Sequence, residues 1–560
     1  MTRNALSTPA RAVAATDRAA GALTFLLAAG AFAVVLSGTA SDMFALDRFS
    51  VPKELALNLT ALLAALLLAA NWRGLRATVP ELVLGAFVVW SVVSAVLSVN
   101  RWIALRSAAL TLSGFLVFLA ARRIAQRARY PVRGREDGPD EPDPRRYDPF
   151  PAAATRESVL PRVLALAVVA ACLTGLSQAY GVELPGLSDA RAPGGTFGNR
   201  NFLAHFTAIG VPLVALAAFR ARPGAMRTFW LLGLVLCGNA IVLTRSRAGW
   251  LGLAAAAVIT ILAFAIARRT LFAAGHRTRQ LAAAGGAIAL GAVTALVLPN
   301  TLEWTSESPY TETLTRLTDY RAGSGRGRLI QYGNSMKLVG RNPVFGTGPG
   351  NWFTEYPLVT TTGDPSYAGA EPIPTNPWPS SDWVALLAER GPIGLALVLL
   401  AGAAIAAIAL RRLRGPDPTA ALDSVTLLSM LAAAAVTGLF DAVLLNAAPT
   451  FLVAAAAGLL LPSSREFVDR KLHGRARAAI VAVTLGAALA GATRSAQQFA
   501  AIRIVDNGRG SRTSIENGLA VDPANHRLHL RLAARDCVHA RAAARLMPFH
   551  ELPRRAVARC

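Results

Sequence analysis

The sequence predicts an all-α, polytopic membrane protein of about thirteen transmembrane helices, with a large loop on the outer face and a small C-terminal helical tail. Three observations predict it. The chain is 53% hydrophobic and only 16% charged, with a positive mean hydropathy, which is too apolar for an ordinary soluble globule. Its apolar residues fall in runs of about 17–25, the length that crosses a bilayer core, rather than in amphipathic stripes. Short clusters of Arg punctuate those runs as topology signals do.

After an inward N-terminal segment, 1–19, spans are expected near 20–40, 54–72, 80–98, 104–121, 160–180, 202–219, 228–244, 248–267, 281–298, 391–410, 424–444, 447–462 and 478–494. Ala, Leu, Val and Gly dominate them, and small residues let helices approach closely inside a membrane. Alternate connections then carry Arg73 and Arg76, a cluster from Arg122 to Arg129, Arg220 to Arg227, Arg268 to Arg279, Arg411 to Arg414, and Arg465 to Arg477. This is the positive-inside pattern, and one missed helix would invert everything downstream of it. The net charge of +24 is therefore read as topology rather than as affinity for nucleic acid. No short apolar region with a small-residue cleavage site follows Arg3, Arg11 and Arg18, so the first helix is expected to stay as an anchor.

Residues 20–494 are thus the transmembrane domain. Within it, 123–158 (containing DGPDEPDPRRYDPFP) has the composition of a flexible cytoplasmic loop. The outward segment 300–390 is far longer than a connection requires, and such loops usually carry function. The tail, 495–560, lies outside the membrane by this topology. Its text SIENGLAVDPANHRLHLRLAARDC is similar to tetratricopeptide helices turning at Asp522-Pro523, an element for packing or for a protein partner. Cys172 and Cys237 fall in spans as apolar core residues. Cys537 and Cys560 share the outside tail, where a disulfide can persist, but sequence alone does not settle their geometry. No Cys/His spacing suggests a metal site, and no cofactor is expected.

Arg245 and Arg247, in LTRSRAGW, are cations on the outer face, against the gradient the other loops obey. They either snorkel to head groups or grip phosphate with their planar forks. Arg326 and Arg328 open GSGRGRLIQYGNSMKLVGRNPVFGTGPGNW, which lacks the Lys-Ser/Thr of a P-loop and is alone a weak anion-site signal.

Taken in order, TFGNRNFLAHF, SRAGW, the R…NPVFGTGPGNW element and LLAERGPIGL resemble the O-antigen ligase family, which shares its core with O-antigen polymerases and protein O-oligosaccharyltransferases. VPKELAL fits as well, and the resemblance covers roughly residues 20–462. It implies a metal-independent glycosyltransferase in a bacterial inner membrane, working at the periplasmic face, with the C-terminus periplasmic. Such an enzyme moves a glycan from undecaprenyl diphosphate to an acceptor hydroxyl. In ligases the acceptor is lipid A–core; in relatives it is another glycan or a protein. By motif, Arg247 would contact the diphosphate with help from Arg328, and Arg245, Arg326 and Arg200 are further candidates. Arg200 stands in place of the proline of a more usual GNPN turn.

One departure matters. Family members carry a His shortly before the AE-G element, whereas this chain reads NPWPSSDWVALLAERG. Asp382 is either a replacement base or the N-cap of a helix beginning at Trp383. Glu389 matches the family glutamate and either takes part or holds the start of the helix. His205 is either a packing residue or a group that approaches the site. A transporter would show repeated halves and intramembrane charges, which this sequence lacks. An inactive relative that recruits a partner through its tail is the remaining alternative.

Overall fold

The computed structural model describes residues 8–39, 47–70, 74–129, 159–182, 184, 191–272, 277–316, 323–360, 364, 366, 377–461, 467–471 and 474–560. The first half contains α1 (Thr8–Leu36), α2 (Asp47–Ala70), β1 (Gly74–Ala77), α3 (Val79–Val96), α4 (Arg101–Arg129), α5 (Leu160–Ala179), α6 (Arg200–Arg220), α7 (Ala225–Leu243), α8 (Arg247–Ile266), α9 (Arg268–Leu271) and α10 (Arg277–Val297). Three helices follow in the long outward segment: α11 (Pro309–Thr315), α12 (Gly323–Arg341) and α13 (Trp352–Glu355). Then come α14 (Asp382–Leu413), α15 (Pro418–Phe440), α16 (Ala447–Leu460), β2 (Val468–Lys471) and α17 (Gly474–Asn507). The tail closes with α18 (Arg512–Val521), α19 (His526–Leu532), α20 (Cys537–Leu546) and α21 (Glu551–Ala558).

Among the described residues, twelve helices are long and apolar enough to cross a membrane: α1 to α8, α10, α14, α15 and α17. The expected thirteenth, α16, has 14 residues. At about 1.5 Å per residue it is some 21 Å long, short of a core about 30 Å thick. A short antiparallel ribbon, absent from the sequence reading, pairs Gly74 with Lys471 through Ala77 with Val468.

The predicted sides can be read from the contacts. On the basic face, Arg220 meets Asp423 at 2.6 Å, Thr270 donates to the Gly415 carbonyl, and β1 pairs with β2. On the opposite face, called here the loop face, Arg106 meets Glu54 at 2.7 Å, Asn351 bridges to Asn100, and His550 reaches the Phe353 carbonyl. Connections predicted to share a side meet on that side.

Helix packing follows residue size. Nearly all of α6 is buried, as expected for a helix apolar all round, and it forms the axis of the bundle. Between α7 and α10, a Cβ on Gly291 would stand 2.0 Å from the Val235 carbonyl oxygen. Only glycine permits that approach. In α14 the helix breaks at Gly391 (φ 68°, ψ −179°), followed by Pro392. The break sets a short helix, 382–390, on the loop face before the span proper. It carries Asp382, Glu389 and Arg390.

Three boundaries differ from expectation. Residues 123–129 continue α4, and the remainder of the 123–158 segment lies outside the described residues. The N-terminal segment is helical from Thr8. No break falls at 494/495, since α17 runs on to Asn507. Helices α18 and α19 fold back against the end of α17, with Ile515, Leu519, Leu528 and Leu532 packed on Ala501, Ile502 and Val505. Buried Arg494 pairs with Asp522, the residue at the turn the sequence had marked. Cys537 and Cys560 have Cα atoms 5.7 Å apart and their sulfurs bonded. Cys172 and Cys237 are buried in α5 and α7.

Candidate functional site

Two widely spaced motifs meet at the loop-face end of α1. Lys53 of VPKELAL donates to the Val35 carbonyl at 3.2 Å, and Thr196 of GGTFGNRN donates to the same oxygen at 2.7 Å. The Lys53 ammonium also lies 5.2 Å from the centre of the Phe197 ring. These contacts fix the turn that delivers Arg200 at the start of α6, where Asn199 caps the helix by accepting from the Asn201 N–H.

Arg200 opens onto a cavity of about 330 Å³ on the loop face. Five arginines line it (Arg200, Arg245, Arg247, Arg316 and Arg328), against one acid, Glu312. Arg245 occupies the corner between α7 and α8 with φ 52°, a left-handed conformation that non-glycine residues rarely adopt and that clusters at functional sites. Its guanidinium bonds Thr313 at 3.1 Å and pairs with Glu312 at 3.4 Å. Trp304 gathers two cations, with Arg200 and Arg245 at 4.8 and 4.7 Å from its ring centre. Arg247, at the first position of α8, donates to the Arg316 carbonyl. Arg328 enters from α12, and its buried Nε has no hydrogen-bond partner. An excess of cations with one orphaned donor suits a polyanionic guest, and arginine forks match phosphate oxygens. Arg326 is exposed on α12 and does not line this cavity.

The acidic candidates lie elsewhere. The N-cap of α14 is Ser381, which accepts from the Val384 N–H, and the helix begins one residue earlier than expected, at Asp382. Asp382 is buried, and its oxygens accept from the backbone N–H groups of Val443 (2.9 Å) and Leu444 (3.0 and 2.9 Å). It clasps the turn between α15 and α16. Glu389 is buried as well, paired with Arg390 at 3.3 Å and accepting from the backbone of Gly350 and Trp352 in the FGTGPGNW loop. Arg390 in turn bonds Ser91 and Thr111, tying α14 to α3 and α4. Both carboxylates border a second cavity, of about 320 Å³, rather than the arginine cavity.

Sequence reasoning passed over Asp441. It follows Phe440, which lines the arginine cavity, and it lies within electrostatic reach of Arg328 and Arg191. Burial pushes its carboxyl up to about 6, while Arg328 pulls the other way. The signal was present: a carboxylate inside an apolar run read as a span, 424–444, is costly unless it serves a purpose. Trp304 and Trp378 carried no comparable signal. His205 is buried with neither ring nitrogen hydrogen-bonded, beside a small void shared with Trp378, Ala442 and Val443. Among the described residues, no three His, Cys, Asp or Glu side chains gather as a metal-ligand group.

A family model described as O-antigen ligase matches residues 232–399. The match runs from within α7 through the break in α14, and it includes Arg245, Arg247, Arg316, Arg328, Asp382 and Glu389. Arg200, Asp441 and the tail lie outside it. No curated protein matches the chain.

Proposed function

From the premise that residues 232–399 are an O-antigen ligase domain within an all-α polytopic membrane protein, we propose a glycan transferase that takes its donor from undecaprenyl diphosphate. The family supports a membrane glycan transferase of ligase or polymerase type. The observation that carries it is the arginine cavity, with five guanidiniums against one carboxylate. The face bearing it is the one opposite the basic loops, which supports a periplasmic face in a bacterial inner membrane. No nucleotide sugar is available there, so a lipid-linked diphosphate is the natural donor.

In the proposed reaction the acceptor hydroxyl oxygen attacks the anomeric carbon. The bond from that carbon to the diphosphate oxygen breaks, and its electron pair leaves with the diphosphate. Arg247, Arg328, Arg245 and Arg200 stabilise the charge that builds there. The hydroxyl proton passes to Asp441, whose pKa of about 6 suits a base near neutral pH. Asp382 and Glu389 hold the turn at 443–444 and the loop at 350–352 in place around the reacting groups. Lipid A–core is the acceptor proposed first. Another glycan or a protein bound at the tail are the alternatives the family admits.

The test is transfer by purified full-length protein in nanodiscs, supplied with a synthetic polyprenyl-diphosphate glycan and rough lipopolysaccharide. Arg247→Ala is expected to lose about 10²–10³-fold in kcat/KM, as removal of a preorganised charge-stabilising donor does. Full transfer by that variant would overturn the donor site.

A further inference from the structure

The loop that carries FGTGPGNW is held from two sides. From the membrane domain, Glu389 accepts from the Gly350 and Trp352 N–H groups, and Asn100, between α3 and α4, exchanges hydrogen bonds with Asn351 at 2.8 and 3.1 Å. From the other side comes the turn between α20 and α21. Met547, only 1% exposed, packs among Leu338, Trp352, Phe353, Tyr356 and Ala388. Leu338 belongs to α12, the helix that delivers Arg328. Buried His550 donates from Nε2 to the Phe353 carbonyl at 2.8 Å, and its ring centre lies 4.9 Å from that of Phe353. Asn100 links the two sides, since its Nδ2 also donates to the Leu546 carbonyl at 2.8 Å. The disulfide joins Cys537, the first residue of α20, to Cys560 beyond α21, so the helices flanking this turn are stapled together.

A second tail contact reaches α2. Arg527 pairs with Asp47, which also pairs with Arg106, and Arg106 pairs with Glu54 at 2.7 Å. Glu54 follows Lys53, whose bond to the Val35 carbonyl helps fix the turn that delivers Arg200. The tail therefore touches three elements that build the site: the FGTGPGNW loop, α12 and the start of α2.

We infer that the tail is a built-in clamp, in which Met547 and His550 are positioning residues that hold the FGTGPGNW loop and α12 in register for transfer. Neither side chain lines the arginine cavity, so each acts through the backbone and helix it holds. A displacement of about 1 Å among the groups around a reacting centre costs about 10²-fold in rate, enough for a clamp remote from the chemistry to govern turnover. The inference rests on the transferase reading above and adds a requirement to it: without its docked tail the membrane domain is incomplete.

The test uses the full-length protein in nanodiscs, purified by size exclusion so that only folded molecules are compared. The transfer assay is run beside hydrogen–deuterium exchange of peptides covering 346–356. Met547→Asp, which puts a charge into the apolar contact, is expected to lower kcat about 100-fold, and His550→Ala about tenfold. Each should leave the donor KM within about twofold of the wild type and should raise exchange in 346–356. His550→Gln, whose Nε2 can donate to the same carbonyl, should restore most of the turnover and the protection. If Met547→Asp does not fold, the histidine pair of variants carries the test alone. Wild-type kcat in His550→Ala overturns the inference, and so does unchanged exchange or a rise in donor KM with kcat intact. If the wild type transfers no glycan to any acceptor, the transferase reading fails instead, and exchange in 346–356 then decides whether the tail holds the loop.

Discussion

Asp382→Ala should destabilise the protein more than its distance from the arginines suggests. The side chain is buried and satisfies two backbone donors, the buried Val443 N–H and the half-buried Leu444 N–H, through three contacts of 2.9–3.0 Å. Hydrogen bonds to a charged acceptor contribute about 1.5–3 kcal/mol each, so the alanine variant should lose about 3–6 kcal/mol. Asp382→Asn keeps one acceptor oxygen and should lose roughly half of that. Thermal denaturation in detergent gives the ranking, wild type above Asn above Ala. The pH profile of transfer then separates holding the turn from accepting the proton. With Asp382 as a clasp, the asparagine variant transfers more slowly, but its acid limb keeps a midpoint near 6, set by Asp441. If Asp382→Asn melts like the wild type yet loses the acid limb, Asp382 is the proton acceptor and this reasoning fails.

Asp441→Asn should remove the acid limb while leaving donor binding intact. Its effect on stability has a definite sign. The folded pKa of about 6 lies above the ordinary 3.8, so the group's favourable contribution is present below pH 3.8 and is lost as pH rises through 6. The asparagine variant should therefore melt higher than the wild type at pH 7.5, and equal melting would count against a raised pKa for this carboxyl. Arg328→Lys should bind the diphosphate more weakly, because an ammonium cannot reproduce the fork, and inhibition by free pyrophosphate measures this. Trp304→Ala should loosen Arg200 and Arg245 together, so that a further Arg245→Ala adds less than it does alone in a double-mutant cycle. Gly391→Ala should fail to assemble, since its Cβ would stand 2.1 Å from the Val344 carbonyl oxygen at a backbone φ of 68°, and yield on size-exclusion chromatography reports it.

The bundle was legible because a bilayer makes length and polarity visible along the chain. Arg220 finds Asp423, and Arg245 finds Glu312, on the sides the arginine clusters had assigned. The break at Gly391 was not legible: a helix was expected from Trp383 and a span from 391, with no kink placed between them. For α16 the apolar run extended past the helix, because residues outside a helix can be as apolar as those within it. The arginines at 200, 245, 247 and 328 were readable as charges on the wrong face, while Arg326, two residues before Arg328, does not line the cavity. The division of labour among Asp382, Glu389 and Asp441 was not readable. It depends on which backbone N–H groups reach Asp382 and Glu389 across roughly 40 to 60 residues of chain, and no local pattern encodes that.

The last spanning helix has a mechanical consequence. With 34 residues, α17 is about 51 Å long, some 20 Å more than the hydrocarbon core, and it continues without interruption into the tail. A flexible tether would let the tail sample a wide volume. A continuous helix, latched to the tail by the buried Arg494–Asp522 pair thirteen residues before its end, acts as a post of fixed height. Asp522, Asn525, His526 and Arg527 of the tail are thereby held at one height beside the second cavity that they line.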